Sequence, residues 1–452
     1  MRNDTFSRDW TEGSIVRNLW SLSWPMMISS SLMMLGPTID MIWIGRLGSS
    51  SIAAVGVSGM AVMVANSITM GVFTGLRALV ARFVGAGDIQ GANHVTQQAY
   101  ILGAGLAVII AMIGVFFSEQ ILVLLGVEAD VIELGAAYMR IQFIGMVTMS
   151  ILRITEASMQ ASGDTITPMR ISIFFRLLHV GLAPSLIFGW LIFPELGVRG
   201  AALTNVITQG IGGAIGMWFL LTGRTRMKLT FKNFSFEPVI IWRLVKIGIP
   251  AAITGMERSF ANLMLVKFIS PFGTIPVAAH SLMQRIDAFT HMPAMGFGVG
   301  AGVLTGQNLG AGKPERAERS GWIAAGIFTA IMACSGIAIW FLAPYIVRIF
   351  NSEPELVEIG ASFLHIQIVG YLVFGCVIVL SQALNGAGDT IIPMLVTLLT
   401  MWFIQVPMAF FLTRYTGVGA AGVRWGIVTG MAVRAGIYTT YFKKGRWKRK
   451  KI

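Results

Sequence analysis

"SGDTITPM", from Ser162 to Met169, and "AGDTIIPM", from Ala387 to Met394, are one phrase written twice, 225 positions apart. The phrase reads as a break between two helices. Glycine ends the first, Asp and Thr bond the backbone groups it frees, and Pro opens the second. Sliding the chain along itself by 225 positions, without gaps, extends the match. Pro25 falls on Pro250, and Ile52 with its two alanines falls on Val277 with its own two. Met70, Gly71 and Gly75 fall on Met295, Gly296 and Gly300. "GAG" at Gly85 meets "GAG" at Gly310, and Gly135, Gln142 and Gly145 meet Gly360, Gln367 and Gly370. The register slips only near the end, where "GVRGAA" at Gly197 meets "GVGAAG" at Gly417 at an offset of 220. The chain is two copies of one unit.

Composition says in which solvent that unit lives. Of the 452 residues 55% are hydrophobic and 12% charged, against about 25% charged in a soluble domain. Apolar runs such as 101–117, 323–341 and 391–411 approach the roughly 20 residues of a bilayer-spanning helix. Lipid requires backbone groups to be satisfied within the segment, which helices do. The expectation is therefore an all-α polytopic membrane protein. The spans are expected near 15–38, 52–76, 93–117, 132–160, 168–192 and 198–221, then 244–268, 277–303, 320–343, 356–384, 391–413 and 417–442. Six spans per copy give twelve transmembrane helices in two parallel six-helix repeats. These are related about the membrane normal, with a site where they meet. The division reads 1–221 for the N-terminal lobe, 222–243 for a cytoplasmic linker, 244–442 for the C-terminal lobe and 443–452 for a basic tail.

The net charge of +13 sits between apolar segments, so it speaks for topology rather than for nucleic acid. The linker carries Arg224, Arg226, Lys228 and Lys232, the stretch after 303 carries Lys313, Arg316 and Arg319, and "KKGRWKRKK" closes the chain. Opposite loops are acidic, with Glu119, Glu128, Asp130 and Glu133 in one copy and Glu353, Glu355 and Glu358 in the other. Both termini are expected on the cytoplasmic side of the cell membrane, with the tail able to meet anionic lipid headgroups. The polar N-terminus lacks the layout of a cleaved signal. The two cysteines, Cys334 and Cys376, read as small core residues.

"GPTIDMIWIGRLG" from Gly36, "AMGFGVGAG" from Ala294, "GQNLGAGKPERAER" from Gly306 and the twin "GDTxxPM" turns together resemble the multidrug and toxic compound extrusion (MATE) family. The resemblance covers nearly the whole chain. It implies two six-helix lobes around a central cavity, and antiport of protons or sodium against amphipathic, often cationic, compounds.

Ionisable groups inside a span cost about 3 kcal/mol at mid-membrane on insertion scales, so the few present are informative. Asp40 follows Gly36 and Pro37, a candidate hinge, and the resemblance makes it a proton- or cation-binding group. Glu257 resembles a carboxylate that some branches of the family use for coupling, and it stands beside Arg258. Arg285 and Asp287 are two apart and do not share a helix face. Arg153 and Glu156 are three apart and suit a pair. The family phrase Asn-x-x-x-Asp-Pro is replaced by "HVGLAP", with His179 at the Asn position and Ala183 at the Asp position. His179 titrates near neutral pH when unperturbed and is a candidate for the lost group. Met33, Met256, Phe260, Met264 and Arg153 are candidates for lining a promiscuous cargo site.

Gly-rich strings such as "GFGVGAG" have no preceding strand or following acidic partner and suit close helix packing instead. Walker, Ser–His–Asp and HExxH patterns are missing from the sequence. The reading is a transporter rather than an enzyme, without cofactor or metal, acting as a monomer on organic cations in exchange for protons, with sodium second. A flippase for lipid-linked oligosaccharides is the alternative.

Overall fold

A computed structural model describes residues 8–190, 192–232, 234–450 and 452, apart from the side chains of Arg258, Ser259 and Leu263. The side chain of Arg258, beside Glu257, and Lys451 of the tail lie outside the described residues. Every regular element among the described residues is a helix, with no strand. The first repeat contains α1 (Ile15–Ile44), α2 (Ser49–Gly85), α3 (Ile89–Leu124), α4 (Ala129–Ile144), α5 (Met146–Ser162), α6 (Ile166–Phe188) and α7 (Val198–Thr222). The second contains α8 (Pro238–Ile269), α9 (Thr274–Gly310), α10 (Pro314–Arg348), α11 (Pro354–Gly386), α12 (Ile391–Thr400), α13 (Val406–Tyr415) and α14 (Ala421–Lys444).

Two of these spans are interrupted. α4 and α5 form one rod bent by 41° at Gly145. α12 and α13 join through one π-turn, Met401–Gln405. Counted as rods, the order is six and six, as the repeat requires. Eight helices are by themselves long and apolar enough to cross a bilayer, and the bent pair makes a ninth. α7, α9 and α14 fall short because they carry polar side chains, several of which are satisfied inside the bundle as described below. The fold is that of an all-α polytopic membrane protein.

The repeated phrase is the turn its residues predict. Gly163 takes the left-handed conformation at φ 96°, and Gly388 does so at φ 81°. In each case the glycine N–H returns to the carbonyl three residues back, and the following Asp N–H returns five residues back (Asp164 to Met159, Asp389 to Leu384). This closes the preceding helix in the manner expected of a left-handed C-terminal glycine. The two aspartates are then used differently. Asp164 accepts from the Thr167 N–H at 3.0 Å and starts α6. Burial raises its carboxyl above the usual range, opposed by the Thr167 bonds. Asp389 instead accepts from Tyr441 Oη at 2.6 Å and from Lys450 Nζ at 2.5 Å.

Contacts divide the chain into two compact units. Unit 1 comprises Met1–Trp10 and Ile28–Ala252, and unit 2 comprises Thr11–Met27 and Ile253–Ile452. The repeated glycines explain why each unit includes half of a helix from the other repeat. Within unit 1, a Cβ on Gly71 would lie 2.4 Å from the Gly248 carbonyl oxygen, and one on Gly75 would lie 2.7 Å from that of Leu244. Within unit 2, a Cβ on Gly296 would lie 2.4 Å from the Met26 carbonyl oxygen, and one on Gly300 would lie 2.3 Å from Ser23 Oγ. Gly71 and Gly75 are the repeat partners of Gly296 and Gly300. Backbone-to-backbone packing through small residues is how membrane helices approach closely.

Of the two cysteines, Cys376 is half-buried and Cys334 is exposed, and both are free. The core reading therefore fails for Cys334, which α10 turns outward. In the tail, Trp447 is fully buried and stacked on Phe442, while Lys448 pairs with Glu315 and Glu318.

Candidate functional site

In unit 1 the helices bring Asp40 of α1, His179 of α6 and Asn205 of α7 together. His179 Nε2 lies 2.9 Å from Asp40 Oδ1, and Asn205 Nδ2 lies 2.8 Å from Oδ2. Asp40 is 2% exposed and His179 0%. A carboxylate buried this deeply needs hydrogen bonds to remain charged, and here an imidazole and an amide face it. With Nε2–H donating to the carboxylate, Nδ1 is the free end of the ring. It is buried without a hydrogen-bond partner among the described residues. An arriving proton has a place at that nitrogen or on Asp40 itself. α1 runs unbroken through Gly36 and Pro37.

Ala183, one turn beyond His179, is fully enclosed in an apolar cluster with Ile44, Val55, Tyr138, Ile187, Val198, Ala201 and Ala202. The position that carries a carboxylate in the family phrase is thus hydrophobic packing here. His179 meets Asp40 from one turn earlier on the same helix face.

A second group lies along the same face of α6. Glu156 of α5 accepts from Arg153 Nη1 at 3.0 Å and from Ser172 Oγ at 2.8 Å. The predicted Arg153–Glu156 pair is therefore formed. Arg176 stands between Ser172 and His179, 6% exposed. Its Nε is enclosed and unpartnered, and its guanidinium lies 5.1 Å over the Phe175 ring. Arg153, Asp40 and Glu156 all act on it electrostatically. Its Nη1 lies against α1 at Gly36, only 1.9 Å from where a Cβ would be.

Unit 2 uses its carboxylates differently. Asp287 of α9 accepts from Arg424 Nη1 of α14 at 3.0 Å and from Tyr371 Oη of α11 at 2.8 Å. Arg424, 1% exposed, also donates to Gln367 Oε1 at 3.4 Å and to the His280 carbonyl at 3.2 Å. Asp287 does pair away from Arg285, as its spacing required. Glu257 of α8 is buried and interacts electrostatically with Arg434 of α14, whose Nε donates to Thr400 Oγ1 at 3.0 Å. Of the apolar lining candidates, Met256 is half-buried, while Met33, Phe260 and Met264 are exposed.

The six candidates for coupling and charge therefore separate. Asp40, His179, Glu156 and Arg153 lie in unit 1, and Glu257 and Asp287 lie in unit 2. Sequence reasoning missed Asn205, Arg424 and Tyr371. The cost of an arginine in a span was the available signal for Arg424. Nothing comparable marks a single Asn or Tyr.

The family model described as MatE matches residues 25–185 and 250–411, the two repeats in turn. A probable multidrug resistance protein, YpnP of Bacillus subtilis, is 27% identical over 449 residues, covering 98% of each chain. A probable multidrug resistance protein NorM of Thermotoga maritima is 26% identical, covering 97% of this chain and 94% of that one. Among solved structures, a transporter of the MOP superfamily from Pyrococcus furiosus superposes with a TM-score of 0.91 at 24% identity, covering 98% of each chain. That likeness is one of fold.

Proposed function

The chain belongs to the MATE family of transporters, and from that premise we propose that it is a proton-driven exporter of amphipathic organic compounds. It would act in the cell membrane with both termini on the cytoplasmic side. The observation that carries the proton assignment is the setting of Asp40. Its two oxygens are engaged by an imidazole and a neutral amide, with no arginine or lysine bonded to hold the carboxylate in its charged form. Sodium would need several oxygen ligands around one point. Both carboxylate oxygens instead face nitrogen groups.

In the cycle proposed, the proton-free Asp40 side of unit 1 favours the cationic group of a cargo. A proton taken up from outside then displaces that group by removing the charge it was attracted to. His179 holds or passes the proton through Nδ1. Glu257 provides a second carboxylate in unit 2. The potential supplies about 2.3 kcal/mol per elementary charge per 100 mV, which supports concentrative export if each turnover moves one net charge.

The test uses purified protein in proteoliposomes with a fluorescent organic cation. A pH gradient alone should drive exchange, and Asp40→Asn should abolish it. Exchange driven by a sodium gradient with pH equal on both sides and the potential held at zero would overturn the proton assignment.

A further inference from the structure

One helix connection occurs in both repeats and is finished differently in each. In unit 1, Arg140 of α4 donates through Nε to the Val115 carbonyl of α3 at 3.3 Å, and its Nη2 pairs with Glu119 at 2.7 Å. At the 225 offset these three residues become His365 of α11, and Trp340 and Pro344 of α10. Proline has no N–H, so Pro344 leaves the carbonyl four residues back without its helical partner. That carbonyl belongs to Trp340. His365 Nε2 donates to it at 3.1 Å, and the two rings lie 4.4 Å apart. A backbone bond and a ring contact thus stand in unit 2 where unit 1 has an ion pair. Arg348, whose partner at the offset is Val123, adds a cation that unit 1 lacks at this place.

A cleft of about 520 Å³ lies here, with Pro344, Arg348, Glu358, Ser362 and His365 in its walls. Trp340, Pro344 and Arg348 share a face of α10 at four-residue spacing, and Glu358 and His365 share a face of α11 at seven. Arg348 and Glu358 are both exposed. Among the described residues neither side chain makes a hydrogen bond or an ion pair, and the Arg348 guanidinium lies 5.9 Å from the centre of the Tyr345 ring. α10 and α11 are each long and apolar enough to cross a bilayer, so the turn between them lies at its surface. The other end of α10 is where Lys313 and Arg316 bond Thr11, Glu12 and Gly13, and where Lys448 of the tail pairs with Glu315 and Glu318. The cleft is therefore at the surface opposite the chain termini. Beside it α10 exposes Trp340, Phe341, Tyr345 and Ile349, an apolar flank with the two residue types that favour the membrane interface.

We propose that this cleft binds the headgroup of a phosphatidylethanolamine from that leaflet, its phosphate on Arg348 and its ammonium on Glu358. One cation and one anion, held apart in one cleft, match a headgroup that carries one of each. The guanidinium fork suits phosphate oxygens, and a primary ammonium has three N–H donors to give a carboxylate. Phosphatidylglycerol offers the phosphate but brings no cation to Glu358. Phosphatidylcholine brings the cation but no N–H. The acyl chains lie along the exposed flank of α10. Lipid binding here is independent of the ion that drives transport.

The experiment is native mass spectrometry of the full chain released from mixed micelles holding equal amounts of phosphatidylethanolamine, phosphatidylglycerol and phosphatidylcholine with the same acyl chains. The wild type should retain one phosphatidylethanolamine with about tenfold preference over phosphatidylglycerol, the scale of one charge-assisted bond. Arg348→Gln should lose that lipid. Glu358→Gln should still hold a lipid but take phosphatidylethanolamine and phosphatidylglycerol about equally. Neither side chain is bonded within the protein, so both variants should melt with the wild type in lipid-free detergent. Should either melt lower, the wild-type preference alone decides. A wild type that retains no lipid, or retains all three alike, would overturn the proposal. So would preference for phosphatidylcholine, selective retention of phosphatidylethanolamine by a stable Arg348→Gln, or an unchanged preference in a stable Glu358→Gln.

Discussion

Asp40 in unit 1 and Asp287 in unit 2 are both single carboxylates inside helical spans, each gripped from two other helices. What grips them differs. Asp40 meets an imidazole and an amide. Asp287 meets an arginine, Arg424, and a tyrosine hydroxyl. Arginine stays protonated at any physiological pH, so Asp287 sits beside a permanent cation and the pair acts as a clamp between α9, α11 and α14. Neither group that hydrogen-bonds Asp40 is a permanent cation. One repeated fold thus holds a locked carboxylate in one copy and an adjustable one in the other. Within a repeat, equivalent positions need not carry equivalent chemistry. At the 225 offset the partner of Arg176 is Met401, where the π-turn begins.

The comparison breaks most sharply on substitution of the two aspartates. Asp40→Asn should abolish pH-driven export, at least a hundredfold by initial rate, while shifting melting little, because Asn keeps the size and a hydrogen-bonding oxygen. Export retained by that variant would make Asp40 structural. Arg424→Met should do the reverse in kind, destabilising by about 3–5 kcal/mol because Asp287 is left charged beside an apolar group. Thermal melting in detergent reads this out. Adding Asp287→Asn to Arg424→Met should restore much of the loss, and a double variant no more stable than Arg424→Met would refute the clamp.

Next in size is His179→Gln, which keeps a hydrogen bond to Asp40 but cannot titrate. Transport should persist at several-fold lower rate. An unchanged rate would confine the proton to Asp40. Glu257→Gln measured beside Asp40→Asn compares the units directly. A several-fold loss is expected, smaller than for Asp40→Asn, and an equal or larger loss would move the main route to unit 2. The smallest effect should come from Gly36→Ala, where the new methyl meets the far end of a flexible side chain. Stability should change by less than about 1 kcal/mol, because the Arg176 guanidinium can move aside, and a larger loss of melting temperature would show that it cannot.

Much of this architecture was legible in the chain. The twin phrase gave the number of copies, and the apolar runs gave the solvent. Both follow from local rules: a left-handed glycine ends a helix wherever it sits, and a bilayer demands the same length of any helix. The Arg153–Glu156 pair was legible too, since three residues along a helix always bring side chains together. Asp40 and His179 were singled out separately by their cost in lipid and by departure from a family phrase. That they touch could not be read from positions 139 apart.

The sequence by itself determined the repeat, the all-α membrane class and the short list of charged residues in the spans. Periodicity, hydropathy and helix-ending chemistry are properties of neighbouring residues. Only the tertiary structure decided which carboxylate is clamped by Arg424 and which is left to His179, and that no carboxylate among the described residues is hydrogen-bonded to Arg176. The charge state of a buried group depends on what other helices place within about 3 Å of it, where a low dielectric magnifies each contact. Such contacts link residues far apart in the chain.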